Sequence, residues 1–228
     1  MESSTNIIAF NGLPGCGKTT LCNKLIEQYP DTIIDVDSVY QSYRQQKLSK
    51  RLLEIPFKVV VKLCWLIIIS PKLYKKDWNI YIGCFVHVLA YNHFKQTKYK
   101  VLLSDNGTVQ DIVSLFYKKE SKFSNRHIKI FSSIINSYDN LHQVYCDIPV
   151  SLSLERIRTR NRHKGRLDLI SDDNKLREDL ATQHDFFIKM NEILANLKND
   201  FQVINMNSEI EEIVSLIKNN YSFLQSNV

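Results

Sequence analysis

Apolar residues along this 228-residue chain fall into two kinds of run. Short, dense runs read as buried strands: Asn6–Phe10 (NIIAF), Thr32–Val36 (TIIDV), Lys100–Ser104 (KVLLS), Gln143–Asp147 (QVYCD) and Phe201–Asn205 (FQVIN). Between them, apolar positions recur every three or four residues, the spacing of one helix face. Leu21, Leu25 and Ile26 predict a first helix, which stops at Tyr29–Pro30. A long, mostly helical block covers about Val39 to Lys98, broken near Ser70–Pro71. Further helices are predicted over about Gln110–Lys119 and Arg126–Tyr138, and from Pro149, which suits a first helical turn, through Arg160. A long one runs from Asp173 to about Lys198, with Leu176, Leu180, Phe187, Met190, Leu194 and Leu197 along one side. The last carries Ile213, Val214 and Ile217 behind a capping box of Ser208 and Glu211.

Apolar strands alternating with helices predict an α/β fold: a parallel sheet covered on both faces, three layers in one domain over residues 1–228. Within it, about 40–98 forms a helical insertion and about 156–172 a lid. A sheet of this kind gathers its functional residues at the C-terminal ends of its strands. The chain's most unusual residues fall there.

Only six glycines occur in the chain, and three of them, Gly12, Gly15 and Gly17, lie within six positions after the first strand. Gly12, four residues, then Gly17–Lys18–Thr19 fit the phosphate-binding pattern G-x-x-x-x-G-K-[ST], with a strand before it and a helix after it. Glycines let a backbone turn tightly and bring N–H groups against phosphate oxygens. The following helix presents its positive end to the same anion. Gly12, Pro14, Gly15, Cys16, Gly17, Lys18, Thr19 and Thr20 are therefore the candidate nucleotide-binding set. Lys18 would bridge the β- and γ-phosphates, and the Thr19 hydroxyl would bind Mg²⁺.

Three more clusters extend this chemistry. Asp35 and Asp37 (DVDSVY) end the second strand; either accepts a proton from a substrate hydroxyl or holds water on magnesium, or else caps a helix. Asp37 is the stronger catalytic candidate, because Asp35 lies closer to the strand. Asp105 follows the third strand, where an acid orients Mg²⁺, although Asn106–Gly107 also suits a plain turn. Gln110 is a weaker substrate-facing candidate. The run ERIRTRNRHKGR places Arg156 and Arg160 four apart on one helix face, with Arg158, Arg162, Lys164 and Arg166 nearby. A transferring phosphoryl group needs such cations, guanidinium forks above all. A solvated basic face or RNA contact is the plainer reading of the run, but its place after the fourth strand favours the phosphoryl role. Lys18, Asp37, Asp105, Arg160, Arg162 and Arg166 make up the candidate catalytic set.

Lys plus Arg number 30 against 24 Asp plus Glu, a net charge of +6 that permits a polyanionic partner and equally fits cations gathered round a phosphate site. Five cysteines without a CxxC pair indicate free thiols. With no secretory pattern in MESSTNIIAF, cytoplasmic residence is the expectation. Phe57–Ile69 (FKVVVKLCWLIII) is apolar but short and interrupted by Lys58 and Lys62, so a buried helix is expected rather than a membrane span, with peripheral membrane contact the lesser alternative.

With these pieces in order, the chain resembles the nucleoside and nucleoside-monophosphate kinases of the phosphate-loop group, thymidylate kinase most closely. The matching residues are NGLPGCGKTTL, Asp105, and YCDIPVSLSLERIRTRNRHKGRLDL, where D-x-P precedes R-x-x-x-R; FQVINMNSEIEEIVSLI is similar to the family's C-terminus. The resemblance implies a five-stranded parallel core, Mg-ATP as donor, and a lid carrying Arg160, Arg162 and Arg166. Asp35-x-Asp37 looks more like shikimate- and gluconate-type kinases, where such a pair contacts substrate and magnesium. Thymidylate kinases carry Asp-Arg where this chain has Asp105–Asn106, and the 40–98 block matches no known acceptor site. The expected function is phosphate transfer from Mg-ATP to a small molecule, a nucleoside or nucleotide before a sugar or other metabolite. The alternatives are phosphorylation of a nucleic-acid 5′ end, and a non-catalytic nucleotide-binding regulator that uses the 40–98 block for a partner. A homodimer is compatible with all of them.

Overall fold

The computed structural model of the chain describes residues 5–69, 78–160, 167, 169–196 and 201–224. Five strands, β1 (Asn6–Gly12), β2 (Ile33–Asp35), β3 (Val101–Ser104), β4 (Leu141–Asp147) and β5 (Phe201–Asn205), form one sheet in the order β2-β3-β1-β4-β5. All four pairings are parallel. From β1 the chain travels to β2 at one edge, returns through β3, then crosses β1 to β4 and β5. The carboxyl end of β1 is thus where the winding changes direction, the place such sheets use for ligands.

Alternate residues of β1 face opposite layers, as the two-residue period of a strand requires. Ile8 and Phe10 pack with α1 (Lys18–Gln28) and α10 (Ile210–Asn220) through Leu21, Leu25, Ile213 and Ile217. Ile7 and Ala9 face the larger layer, which contains α5 (Trp78–Phe94), α6 (Thr108–Phe116) and α9 (Asp173–Ala195). Every residue of β1 is buried, which is why the run reads as continuously apolar rather than alternating.

The helical block resolves into α2 (Val36–Gln45), α3 (Leu48–Leu53), α4 (Phe57–Ile69) and α5; the expected break at Ser70–Pro71 lies outside the described residues. β2 stops at Asp35, two residues before the next acid, because the Asp35 carboxylate accepts from Ser38 N–H at 2.8 Å and caps α2. Helix α2 therefore begins at Val36 rather than near Val39. α7 (Asn125–Ile135) and α8 (Val150–Thr159) flank β4, with Pro149 at the start of α8.

Two expectations are corrected. The Ser208–Glu211 capping box does not form: Glu209 is the extended residue before α10, so Glu211 is second in the helix rather than third and cannot reach back. A capping box closes instead at Ser124 and His127 on α7, where Ser124 N–H donates to His127 Nδ1 at 3.1 Å. Nor is α4 fully buried. Val59, Leu63 and Leu66 face the core, whereas Phe57 and Ile68 are 74% and 69% exposed. Lys62 fixes the buried side by donating to Ser133 O at 2.9 Å. Among the described residues, no helix is long and apolar enough to cross a membrane.

The join between sheet and ligand loop is unusually tight. Gly12 has φ +147°, and a Cβ there would run into the Cys146 carbonyl of β4 and sit 3.2 Å from Cys16 Sγ. Gly12→Ala should accordingly cost about 3 kcal/mol or more in stability, read as a fall in thermal midpoint; an unchanged midpoint would refute this packing.

Candidate active site

The loop from Leu13 to Gly17 curls between the end of β1 and the start of α1. Gly12, Gly15 and Gly17 have φ of +147°, +82° and +99°, and no other described residue has a positive φ. These are conformations that only glycine adopts cheaply. Gly17 caps α1 with no side-chain hydrogen bond, so the first N–H groups of the helix stay available for an anion.

Neighbouring elements hold this curl. Helix α8 presses on it: a Cβ at Gly15 would sit 3.1 Å from Ser153 O, the Ser153 hydroxyl donates to Pro14 O at 2.6 Å, and Arg156 donates to Cys16 O and Met206 O, each at 3.4 Å. From α6, Gln110 Oε1 accepts from Gly12 N–H at 3.1 Å. Its backbone N–H donates to Asn11 Oδ1 at 3.0 Å, and Asn11 in turn donates to Gln143 Oε1 at 2.8 Å. Gln110 thus serves the loop's own backbone and lies on the loop side of the site.

Lys18 is folded over the loop, donating from Nζ to Gly12 O at 2.8 Å and Leu13 O at 3.1 Å, with Cys16 Sγ at 3.4 Å. Burial pushes the Cys16 thiol up, but hydrogen bonding with the Cys146 thiol and the Lys18 ammonium together outweigh it and pull Cys16 down to about 6. A lysine resting on two carbonyls and a thiol is a cation waiting for better partners, since charge-assisted bonds to phosphate are the stronger class.

Two cavities meet at this point. The first, of about 550 Å³, lies over the loop and is lined by Pro14, Gly15, Gly17, Lys18, Thr19, Thr20, Gln110, Arg156 and Arg160, among others. The second, of about 240 Å³, lies beside it and contains Asp35, Asp37, Asp105 and His87. They share Thr19, Asn23 and Asn106 as lining residues. Cations collect in one chamber and carboxylates in the other. At the boundary the Thr19 hydroxyl donates to Asp105 Oδ2 at 2.7 Å. This pair of oxygen donors suits Mg²⁺, which takes one or two protein ligands and keeps phosphates and water for the rest. No group of three His, Cys, Asp or Glu among the described residues forms a metal cage.

The two acids after β2 differ in what they do. Both oxygens of Asp35 are engaged, taking Ser38 N–H at 2.8 Å and the Ser38 hydroxyl at 2.7 Å. Asp37, in the first turn of α2, faces the second cavity. Partial enclosure by the cavity walls, then the charges of Asp35 and Asp105, raise its carboxyl above the usual aspartate range, while His87 pulls the other way.

Of the arginine run, Arg156 braces the loop and Arg160 lines its cavity. Arg158 turns away to Asp173 at 2.6 Å, an exposed pair of the kind that contributes about 0–1 kcal/mol. Arg162, Lys164 and Arg166 lie outside the described residues, with the rest of 161–166 and residue 168 of the 156–172 segment expected to form a lid. Sequence reading passed over Asn11, Ser153 and the buried pair His87–Asp111. The available signal for that pair was a lone histidine in the apolar IYIGCFVHVLAY and a lone acid in TVQDIVSLF.

No family model and no curated protein matches the chain. Solved structures do. A deoxyadenosine kinase from M. mycoides with bound dATP matches with a TM-score of 0.52 and 15% identity, over 95% of this chain and 98% of that one. A shikimate kinase from Bacteroides thetaiotaomicron matches with a TM-score of 0.46 and 15% identity, over 94% and 97%. At 0.52 the first likeness, with the five-stranded parallel sheet and its flanking helices, establishes the phosphate-loop kinase fold; these neighbours do not carry a narrower likeness to thymidylate kinase.

A raised Asp37 carboxyl has a consequence for stability. The folded state disfavours the ionised form, so the stability Asp37 contributes is complete below the ordinary aspartate range and is lost as pH rises through its raised value. Asp37→Asn should raise the thermal midpoint of the ligand-free protein at neutral pH, with the gain vanishing in acid. A lower midpoint at neutral pH would mean that the carboxylate is structural.

Proposed function

We propose that the chain is a Mg-ATP-dependent phosphotransferase acting on a small molecule, a nucleoside or nucleotide. The observation that carries this reading is the pair of abutting cavities, one cationic over the phosphate loop and one acidic beside it, joined at Thr19 and Asp105. A nucleoside triphosphate suits the first, its phosphates against the loop N–H groups, Lys18, Arg156 and Arg160. The acceptor hydroxyl suits the second. A space of only about 240 Å³ favours a small molecule over the end of a polymer. Mg²⁺, held through Thr19 and Asp105, supplies charge neutralisation on the phosphates when bound.

In the transfer itself, the acceptor oxygen forms a bond to the γ-phosphorus while the bond from that phosphorus to the β,γ-bridging oxygen breaks, and the nucleoside diphosphate departs. The hydroxyl proton passes to a base within reach, and Asp37 is the carboxylate free to take it. Its raised carboxyl brings it closer to the working pH, which favours that role. Lys18 and the arginines neutralise charge that spreads over the transferred group.

Incubating the protein with Mg-ATP and a small-molecule extract, followed by mass identification of phosphorylated products, tests this reading. One class of acceptor should gain a phosphate, and Lys18→Ala should lower the rate about 10²–10³-fold, equivalent to roughly 3–4 kcal/mol of transition-state stabilisation. An active-site protein that binds Mg-ATP yet phosphorylates nothing in the extract would overturn it.

A further inference from the structure

His87 sits on α5, inside the apolar helical insertion, yet its ring reaches the acidic cavity beside the phosphate loop. It is only 7% exposed, and its Nδ1 lies 2.9 Å from Asp111 Oδ2 on α6, itself 9% exposed. Asp111 packs under α5 at Gly83, one turn before His87, where a Cβ would already stand 3.4 Å from its Oδ1. A buried acid bonded to Nδ1 fixes the orientation of the ring and leaves Nε2 for a partner in the cavity. Among the described residues His87 has no other hydrogen-bond partner.

Two of the three acids that line this cavity are already engaged. Both Asp35 oxygens are taken by Ser38, and Asp105 Oδ2 takes the Thr19 hydroxyl. Asp37 and His87 Nε2 remain, with Asn23 beside them, Asp37 suited to the reacting hydroxyl and His87 to a second polar group on the same molecule. A phosphate or carboxylate on that molecule would face three aspartates, with no Lys or Arg among the residues that line this cavity. We infer that His87, oriented by Asp111, reads the acceptor through a hydrogen bond at Nε2, and that the acid-lined site takes an uncharged molecule, a nucleoside rather than a nucleotide. This rests on the phosphotransferase reading. In it His87 determines specificity and Asp111 is a positioning residue. A buried His–Asp pair can also simply join two helices, so the test separates the two roles.

Steady-state kinetics with Mg-ATP and, as acceptors, the four 2′-deoxynucleosides and their 5′-monophosphates provide it. At least one nucleoside should be phosphorylated with kcat/KM ten or more times that of its monophosphate. His87→Ala should raise the acceptor KM about tenfold or more, with kcat and the ATP KM within about threefold of the parent. His87→Gln, whose amide keeps a hydrogen-bonding group at that place, should recover part of the loss, and Asp111→Asn should raise the same KM by a smaller factor. An unchanged acceptor KM in a folded His87→Ala protein, a loss confined to kcat, or a preference for the monophosphates would each overturn the inference while leaving the phosphotransferase reading intact. If none of the eight is phosphorylated, the same variants are measured on the acceptor found in the extract, and an anionic acceptor overturns the inference. Absence of transfer to any acceptor defeats the phosphotransferase reading itself.

Discussion

An anion held by backbone N–H groups needs a chain that turns inward on itself, and here that turn is squeezed between two other elements. At Gly12 the loop leaves β1 so close to the Cys146 carbonyl of β4 that no side chain fits, and at Gly15 it meets Ser153 of α8. Left-handed backbone at three glycines is tolerable only because everything around it is fixed. Gln110, Ser153 and Arg156 bond the loop backbone, and Asn11 ties Gln110 to β4 through Gln143. The buried strand, the parallel winding and the three helices around the loop all serve that one conformation.

From it follows the division of charge. The positive end of α1, Lys18, Arg156 and Arg160 face one cavity, while Asp35, Asp37, Asp105 and the His87–Asp111 pair surround the other. Each side is imperfectly satisfied by the protein's own groups: Lys18 leans on carbonyls and on Cys16, and Asp37 is held above its ordinary range by partial burial and then by its acidic neighbours. Such electrostatic tension is characteristic of functional sites.

Much of this was legible in the residues. The glycine loop announces itself because its chemistry is local: strand, turn and helix are contiguous, and the residue types follow from the backbone geometry. The central strands could be placed because burial on both faces makes them densely apolar, and the edge strand β5 falls where its pattern puts it although only Ile204 of it is buried. Elements decided by long-range packing were harder. Asp35 ends β2 through a bond to Ser38, which a strand-like TIIDV does not reveal, and Glu209 shifts α10 by one residue past its apparent cap. His87 and Asp111 were hidden for the same reason: they are 24 positions apart, on two helices whose patterns read as core, and only the fold brings them together at the cavity.

The central claim is that the glycine loop cradles the phosphates of a nucleotide whose metal is held at Thr19 and Asp105, with the acceptor cavity directly beside it. A crystal structure with Mg²⁺ and a non-hydrolysable ATP analogue measures this directly. The account predicts that Lys18 Nζ leaves the Gly12 and Leu13 carbonyls for the phosphates, and that the metal lies between Thr19 Oγ1 and Asp105. A nucleotide bound elsewhere, with Lys18 still resting on those carbonyls, would contradict it.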